Sequence, residues 1–105
     1  MIRSIIHMLL HIVVPGIAAR VFFRTNWKKQ WMIMISTMIV DLDHLFSTPV
    51  FDPDRCSIGF HPFHSYLAIG VYAILIFVPR VRVVGLGLLI HMFLDYTDCI
   101  WMGLP

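Results

Sequence analysis

The sequence predicts an all-α, polytopic membrane protein, an antiparallel bundle of four transmembrane helices. Three observations lead there. Hydrophobic residues make up 59% of the chain and charged residues 13%, where a soluble domain is about one-quarter charged. Mean hydropathy is +0.83. Four apolar stretches, each close to the roughly 20 residues that cross a hydrocarbon layer, alternate with short polar connections. At 105 residues, the chain is read as a single domain, 1–105. No basic tail or aromatic-basic interleaving points to nucleic acid.

The first helix is expected over 2–23, with Pro15 as a potential kink. His7 and His11 are four residues apart and share one face. A cleaved signal peptide is the competing reading of this end, but both histidines interrupt its apolar region. Arg20, Arg24, Lys28 and Lys29 follow with no acid among them, and Asn26-Trp27 suits a turn.

The second helix is expected over 30–46. Its polar stripe is Thr37, Asp41, His44 and Thr48. In a regular helix Asp43 points away from Asp41, toward an orienting or general-base role rather than a ligand role. Residues 47–60 form a loop in which Asp52-Pro53-Asp54 is turn chemistry, so those aspartates read as solvated. The third helix is expected over 62–78. His61 precedes Pro62 and lies just outside it, Pro62 takes the first helical position, and His64 sits in the first turn. Gly70 and Ala73 are small enough for close packing. Arg80 and Arg82 make a short basic hairpin. The fourth helix is expected over 83–102, with Gly85 and Gly87 for close packing and His91, Asp95 and Asp98 on one stripe.

The first and third connections are basic and the second is net acidic. The positive-inside bias therefore places the basic ones in the cytoplasm and both termini outside. All the polar clusters then fall in the same leaflet, although neighbouring helices run in opposite directions. At the helical rise, His11 and His91 lie roughly 12–15 Å below the outer surface. Ionisable groups at membrane depth are costly and mark functional sites. Two carboxylates and several imidazoles at one depth point to a metal. Candidate ligands are His7, His11, Asp41, His44, His61, His64, His91 and Asp95. That exceeds the four or so that one zinc ion takes, so one or two divalent ions are expected, two bridged by an aspartate being the better fit. Zinc suits mixed imidazole and carboxylate ligands, as do manganese and iron. Asp43 and Asp98 are left as candidate catalytic bases. Cys56 and Cys99 make no CxxC pair. Both fall on the outer side, where a disulfide and two buried thiols are each open.

The blocks His7-Met8-Leu9-Leu10-His11, Asp41-Leu42-Asp43-His44, Gly59-Phe60-His61-Pro62-Phe63-His64-Ser65 and His91-Met92-Phe93-Leu94-Asp95 occur in this order over nearly the whole chain. Their order resembles the YdjM-like family of bacterial inner-membrane metal-dependent hydrolases, and more closely a small bacterial membrane family with the same blocks. His61 and His64 are spaced more tightly than in the YdjM-like pattern, and the chain is shorter. The resemblance implies metal binding, hydrolysis and residence in a bacterial inner membrane, but no particular substrate. An outer-leaflet site would meet membrane lipids, so a lipid or amphipathic ester, a phosphoester first, is the expected substrate. The alternative is a metal- or haem-binding bundle without hydrolytic activity, with haem between facing histidines. A metal carrier ranks below both, because the cluster occupies one leaflet only. A bundle of this size also admits a homodimer.

Overall fold

The structure, a computed structural model, describes residues 2–46, 56, 58–59, 62–101 and 103, without the side chains of residues 42–46. Among the described residues there are four α-helices and no strand. They are α1 (Ile2–Phe22), α2 (Trp27–Ser36), α3 (Tyr66–Leu75) and α4 (Arg82–Trp101). Helix α4 is the hub, in contact with the other three, and α1 also packs on α2.

Helix α1 runs through Pro15, which has no N–H to give the preceding turn. One residue past the orphaned carbonyl, the backbone oxygen of Ile12 accepts the indole N–H of Trp31 at 2.8 Å. The indole rests on Gly16, where a Cβ would come within 3.2 Å of ring atoms. The proline and glycine together seat α2 on α1.

Helix α2 starts three residues before the expected 30 and turns early into a 3₁₀ helix, Thr37–Phe46. Side-chain hydroxyls mark the change. Ser36 Oγ donates to the Ile33 carbonyl at 2.6 Å and Thr37 Oγ1 to the Met34 carbonyl at 2.5 Å. Such bonds compete with the α-helical ladder just where it gives way. The expected α-helical stripe of Thr37, Asp41, His44 and Thr48 is therefore wound at three residues per turn over its described part.

The third expected helix also divides. Pro62–His64 is a separate 3₁₀ turn and Ser65 is the N-cap of α3, its hydroxyl accepting from the Ala68 N–H at 3.1 Å. Pro62 thus opens a turn rather than α3, and His64 precedes the helix instead of lying in its first turn. At the other end, bonds from Ile76, Phe77 and Val78 to the third residue before each carry a tightened chain to the expected end at 78.

Glycines set the closeness of α4. A Cβ on Gly85 would meet Leu75 Cβ at 2.8 Å and the Tyr72 carbonyl oxygen at 3.0 Å; on Gly87 it would meet Met34 Cα at 2.9 Å. Gly70, by contrast, has nothing within 4 Å of such an atom and plays no part in packing. Tyr72, Leu88 and Met92 form the apolar core.

Helices α1 and α4, with 21 and 20 residues, are long and apolar enough to cross a membrane. Helices α2 and α3 have ten residues each and do not reach that length alone. Beside the apolar core, ionisable side chains are buried while large apolar ones are exposed. His11, Thr37, His64, His91 and Asp95 are buried, while Ile2, Leu9, Ile17, Leu67, Ile74 and Phe77 are exposed.

Candidate metal centre

Regular α-helix carries the sequence stripes into space. His7 and His11 on α1 face His91 and Asp95 on α4, and the 3₁₀ segments bring Asp41 and His64 to the same point. The imidazoles form a chain: ring centroids are 4.3 Å apart for His7 and His11, 4.5 Å for His11 and His91, and 5.2 Å for His64 and His91.

Asp95 joins two groups. Its Oδ1 lies 2.9 Å from His7 Nε2 and 3.1 Å from His11 Nε2. Its Oδ2 lies 2.9 Å from His64 Nε2 and 3.2 Å from His91 Nε2. Asp41 Oδ1 closes the second group, 3.2 Å from His64 Nε2 and 3.0 Å from His91 Nε2. The two Nε2 atoms of that group are themselves 3.2 Å apart.

These contacts fit a cation better than a set of hydrogen bonds. Each Nε2 has one direction in its ring plane, so it carries one proton or one lone pair. A single proton cannot serve the three neighbours that each Nε2 of His64 and His91 has at 2.9–3.2 Å. A cation at the centre would serve all four donor atoms at once. Tetrahedral zinc with bonds near 2.0 Å spaces its ligands by about 3.3 Å, close to the separations found. His11 supplies a second sign. Its Nδ1–H donates to the His7 carbonyl at 2.8 Å. That bond occupies Nδ1 and leaves Nε2 as the ring nitrogen turned to the Asp95 carboxylate, the one a metal shared with Asp95 would use. Buried His/Asp groups that could hold a metal ion are therefore present, as His7–His11–Asp95 and as Asp41–His64–His91–Asp95.

The backbone around His64 is held by neighbours. The Gly59 N–H donates to the His64 carbonyl at 3.0 Å, and Tyr72 Oη donates to the Phe63 carbonyl at 2.8 Å. Nδ1 of His91 is buried with no hydrogen-bond partner among the described residues.

Of the residues that the sequence nominates, His7, His11, Asp41, His64, His91 and Asp95 come together. Asp98 stands beside them, 4.0 Å from His7 Nδ1, and Arg3 Nη1 lies 3.6 Å from it. The side chains of Asp43 and His44, all of His61, and the loop residues Asp52 and Asp54 lie outside the described residues. Two contributors escape a reading of motifs. Arg3 looks like a terminal flank, yet it lies four residues before His7 on the same stripe. Tyr72 looks like core, although its spacing of eight from His64 places its hydroxyl within reach of that turn. Cys56 and Cys99 are joined in a disulfide, with Cα atoms 5.0 Å apart.

No curated protein and no solved structure matches the chain. A sequence-family model matches residues 1–102, and with nearly its whole length covered the chain belongs to that family, described as a family of unknown function (DUF6122).

Proposed function

We propose that the protein is an integral-membrane, metal-dependent hydrolase acting on a lipid or other amphipathic phosphoester. The observation that carries this reading is the convergence of imidazole Nε2 and carboxylate oxygens, with spacings of 2.9–3.2 Å, on a buried point. Asp95 offers one oxygen to each group. His7, His11 and Asp95 would hold one ion and Asp41, His64, His91 and Asp95 another, and such a pair would supply the chemistry of a two-metal hydrolase, zinc suiting the donors best and manganese or iron following. A bound divalent ion supplies Lewis acidity and brings the pKa of water toward neutrality.

The chain's own residues divide the remaining work. Among the described residues the Asp41–His64–His91–Asp95 group has four donors, the number of a closed zinc site. The His7–His11–Asp95 group has three, the number that leaves a position open for water or substrate. Each group has one partly exposed member, His7 here and Asp41 in the other, so the open position rather than exposure marks this group as the one for water or substrate. Asp98 is beside it and is our candidate for accepting a proton from water. Arg3, next to Asp98, adds a guanidinium beside this group, a donor that suits a phosphate oxygen. Asp43 is retained as the other candidate base.

Four spans are part of the same proposal. Helix α2 and its 3₁₀ continuation cover 27–46; ten residues at each rise give about 35 Å, enough for the roughly 30 Å hydrocarbon layer. Helix α3 with its flanking turns covers 62–78. The basic residues Arg20, Arg24, Lys28, Lys29, Arg80 and Arg82 support an orientation with their end in the cytoplasm, the His/Asp centre in the outer leaflet of a bacterial inner membrane and both termini outside. The ordered likeness to YdjM-like hydrolases supports the activity. A haem-holding bundle is disfavoured, because two carboxylate oxygens stand between the imidazoles where the macrocycle would lie.

The test is hydrolysis of a panel of phospholipids and isoprenoid phosphates by detergent-purified protein, before and after chelation and zinc return. Metal-dependent release of phosphate or a headgroup is expected, with Asp98→Asn keeping its metal and losing turnover. Stoichiometric metal with no hydrolysis across the panel would leave the non-catalytic metal-binding alternative.

A further inference from the structure

We propose that the Cys56–Cys99 disulfide is a positioning element of the metal centre, holding His64 in the four-donor group so that this group is complete only in the oxidised protein. The inference rests on the metal reading above. His91, Asp95 and Cys99 are spaced by four residues along α4, so the two ligands and the staple share one helix face. Cys99 is 1% exposed and its partner Cys56 lies eight residues before His64. The Gly59–His64 backbone bond shortens the path between them, so the tether at Cys56 acts close to the ligand.

The other ligands have firmer supports. His7 and His11 are carried by one long helix, and His91 and Asp95 by another. Asp41 belongs to a segment continuous with α2. His64 lies in a three-residue turn between a loop and α3. Its ring is fully buried. Among the described residues, the bonds that secure this turn include the Gly59 N–H to the His64 carbonyl and the Tyr72 hydroxyl to the Phe63 carbonyl. Both are neutral hydrogen bonds to backbone, and neither spans from the turn to α4. The disulfide is the covalent link that does.

The chemistry is a thiol–disulfide exchange. The Cys56 and Cys99 thiols give up two protons and two electrons as the S–S bond forms. An external disulfide oxidant takes them and is reduced to two thiols. Such oxidants work on the outer side of a bacterial inner membrane, the side on which the proposed orientation puts the centre. The four-donor group would then mature only after the chain has been inserted and oxidised.

The test is titration of detergent-purified protein with Co²⁺, whose visible bands report tetrahedral ligation, followed by Zn²⁺ competition. Four forms are compared: oxidised wild type, the Cys56→Ser/Cys99→Ser variant, His64→Ala, and all three substitutions combined. Loss of an orienting partner weakens metal affinity by about 10–100-fold, and that loss is expected in the serine variant. The combined variant should be no weaker than His64→Ala alone, because both routes remove the same ligand. Helix content by circular dichroism establishes folding; wild type reduced in the folded state gives the same comparison without substitution. Affinity unchanged on reduction, or losses that multiply in the combined variant, would overturn the inference and leave the metal reading standing. Oxidised wild type that takes up neither ion would overturn both.

Discussion

Asp95→Asn separates one shared centre from two independent ones. The side chain keeps its shape, so no cavity forms, and it is 5% exposed, so water cannot replace what is lost. Four imidazole nitrogens lie 2.9–3.2 Å from its two oxygens. The amide offers one weak oxygen to one group and an N–H donor to the other. Loss of an orienting partner costs about 10–100-fold in affinity, and loss of a ligand should exceed that, more than about 2.8 kcal/mol at each group. Because both groups use Asp95, metal content should fall toward zero. His11→Ala removes a donor from the first group only, and His64→Ala from the second only, so each should lose about half of a two-ion content. The assay is metal-to-protein ratio by plasma mass spectrometry after equilibrium dialysis against zinc. Without metal, the variant also leaves a buried cluster without its acidic partner, with a stability loss of about 3–5 kcal/mol. A ratio in Asp95→Asn no lower than in His11→Ala would refute the shared carboxylate.

Two further outcomes follow from packing and charge. Gly87→Ala should destabilise by about 1–3 kcal/mol, since the new Cβ would lie 2.9 Å from Met34 Cα; Gly70→Ala, with open space around it, should be neutral or stabilising by up to about 1 kcal/mol. Thermal unfolding in one detergent compares them, and equal effects would show that α2 and α4 are less closely packed than they stand here. For topology, Asn26→Cys should be protected from an impermeant thiol reagent in intact cells and Asp54→Cys should react; the reverse labelling would invert the orientation.

What the sequence made legible is what regular helix geometry can transmit. His7 and His11, or His91, Asp95 and Asp98, need only their spacing to be placed on one face, and both stretches lie in continuous α-helix. Asp41 and His64 were legible as residue types but not as positions. Both sit in 3₁₀ segments, and nothing in Met38-Ile39-Val40 distinguishes that winding from α-helix. The hydroxyls of Ser36 and Thr37 are the visible cue, though Ser and Thr often bond back without ending a helix. At the third helix two start signals compete. Pro62 suits a first helical position, but Ser65 has a cap bond to Ala68 and takes the start. The disulfide depends on a Cα separation that no spacing in the sequence supplies.

The placement of Asp95 explains why a small apolar chain can hold so much buried polarity. A lone carboxylate or imidazole buried to this extent would be destabilising. Among the described residues every buried imidazole reaches Asp95, so the cost falls on one connected group. The group draws donors from α1, α4 and both 3₁₀ segments. Helix pairs whose outer surfaces are apolar gain little from the hydrophobic effect in lipid, so packing and polar contacts must hold them together. On the basic side the small residues Gly16, Gly85 and Gly87 admit close packing. On the other side the His/Asp group joins the same helices. The residues proposed to bind metal are thus also the ones that fasten the fold, which is why their replacement should lower stability and metal content together, whereas Asp98→Asn, at the edge of the group, should lower turnover alone.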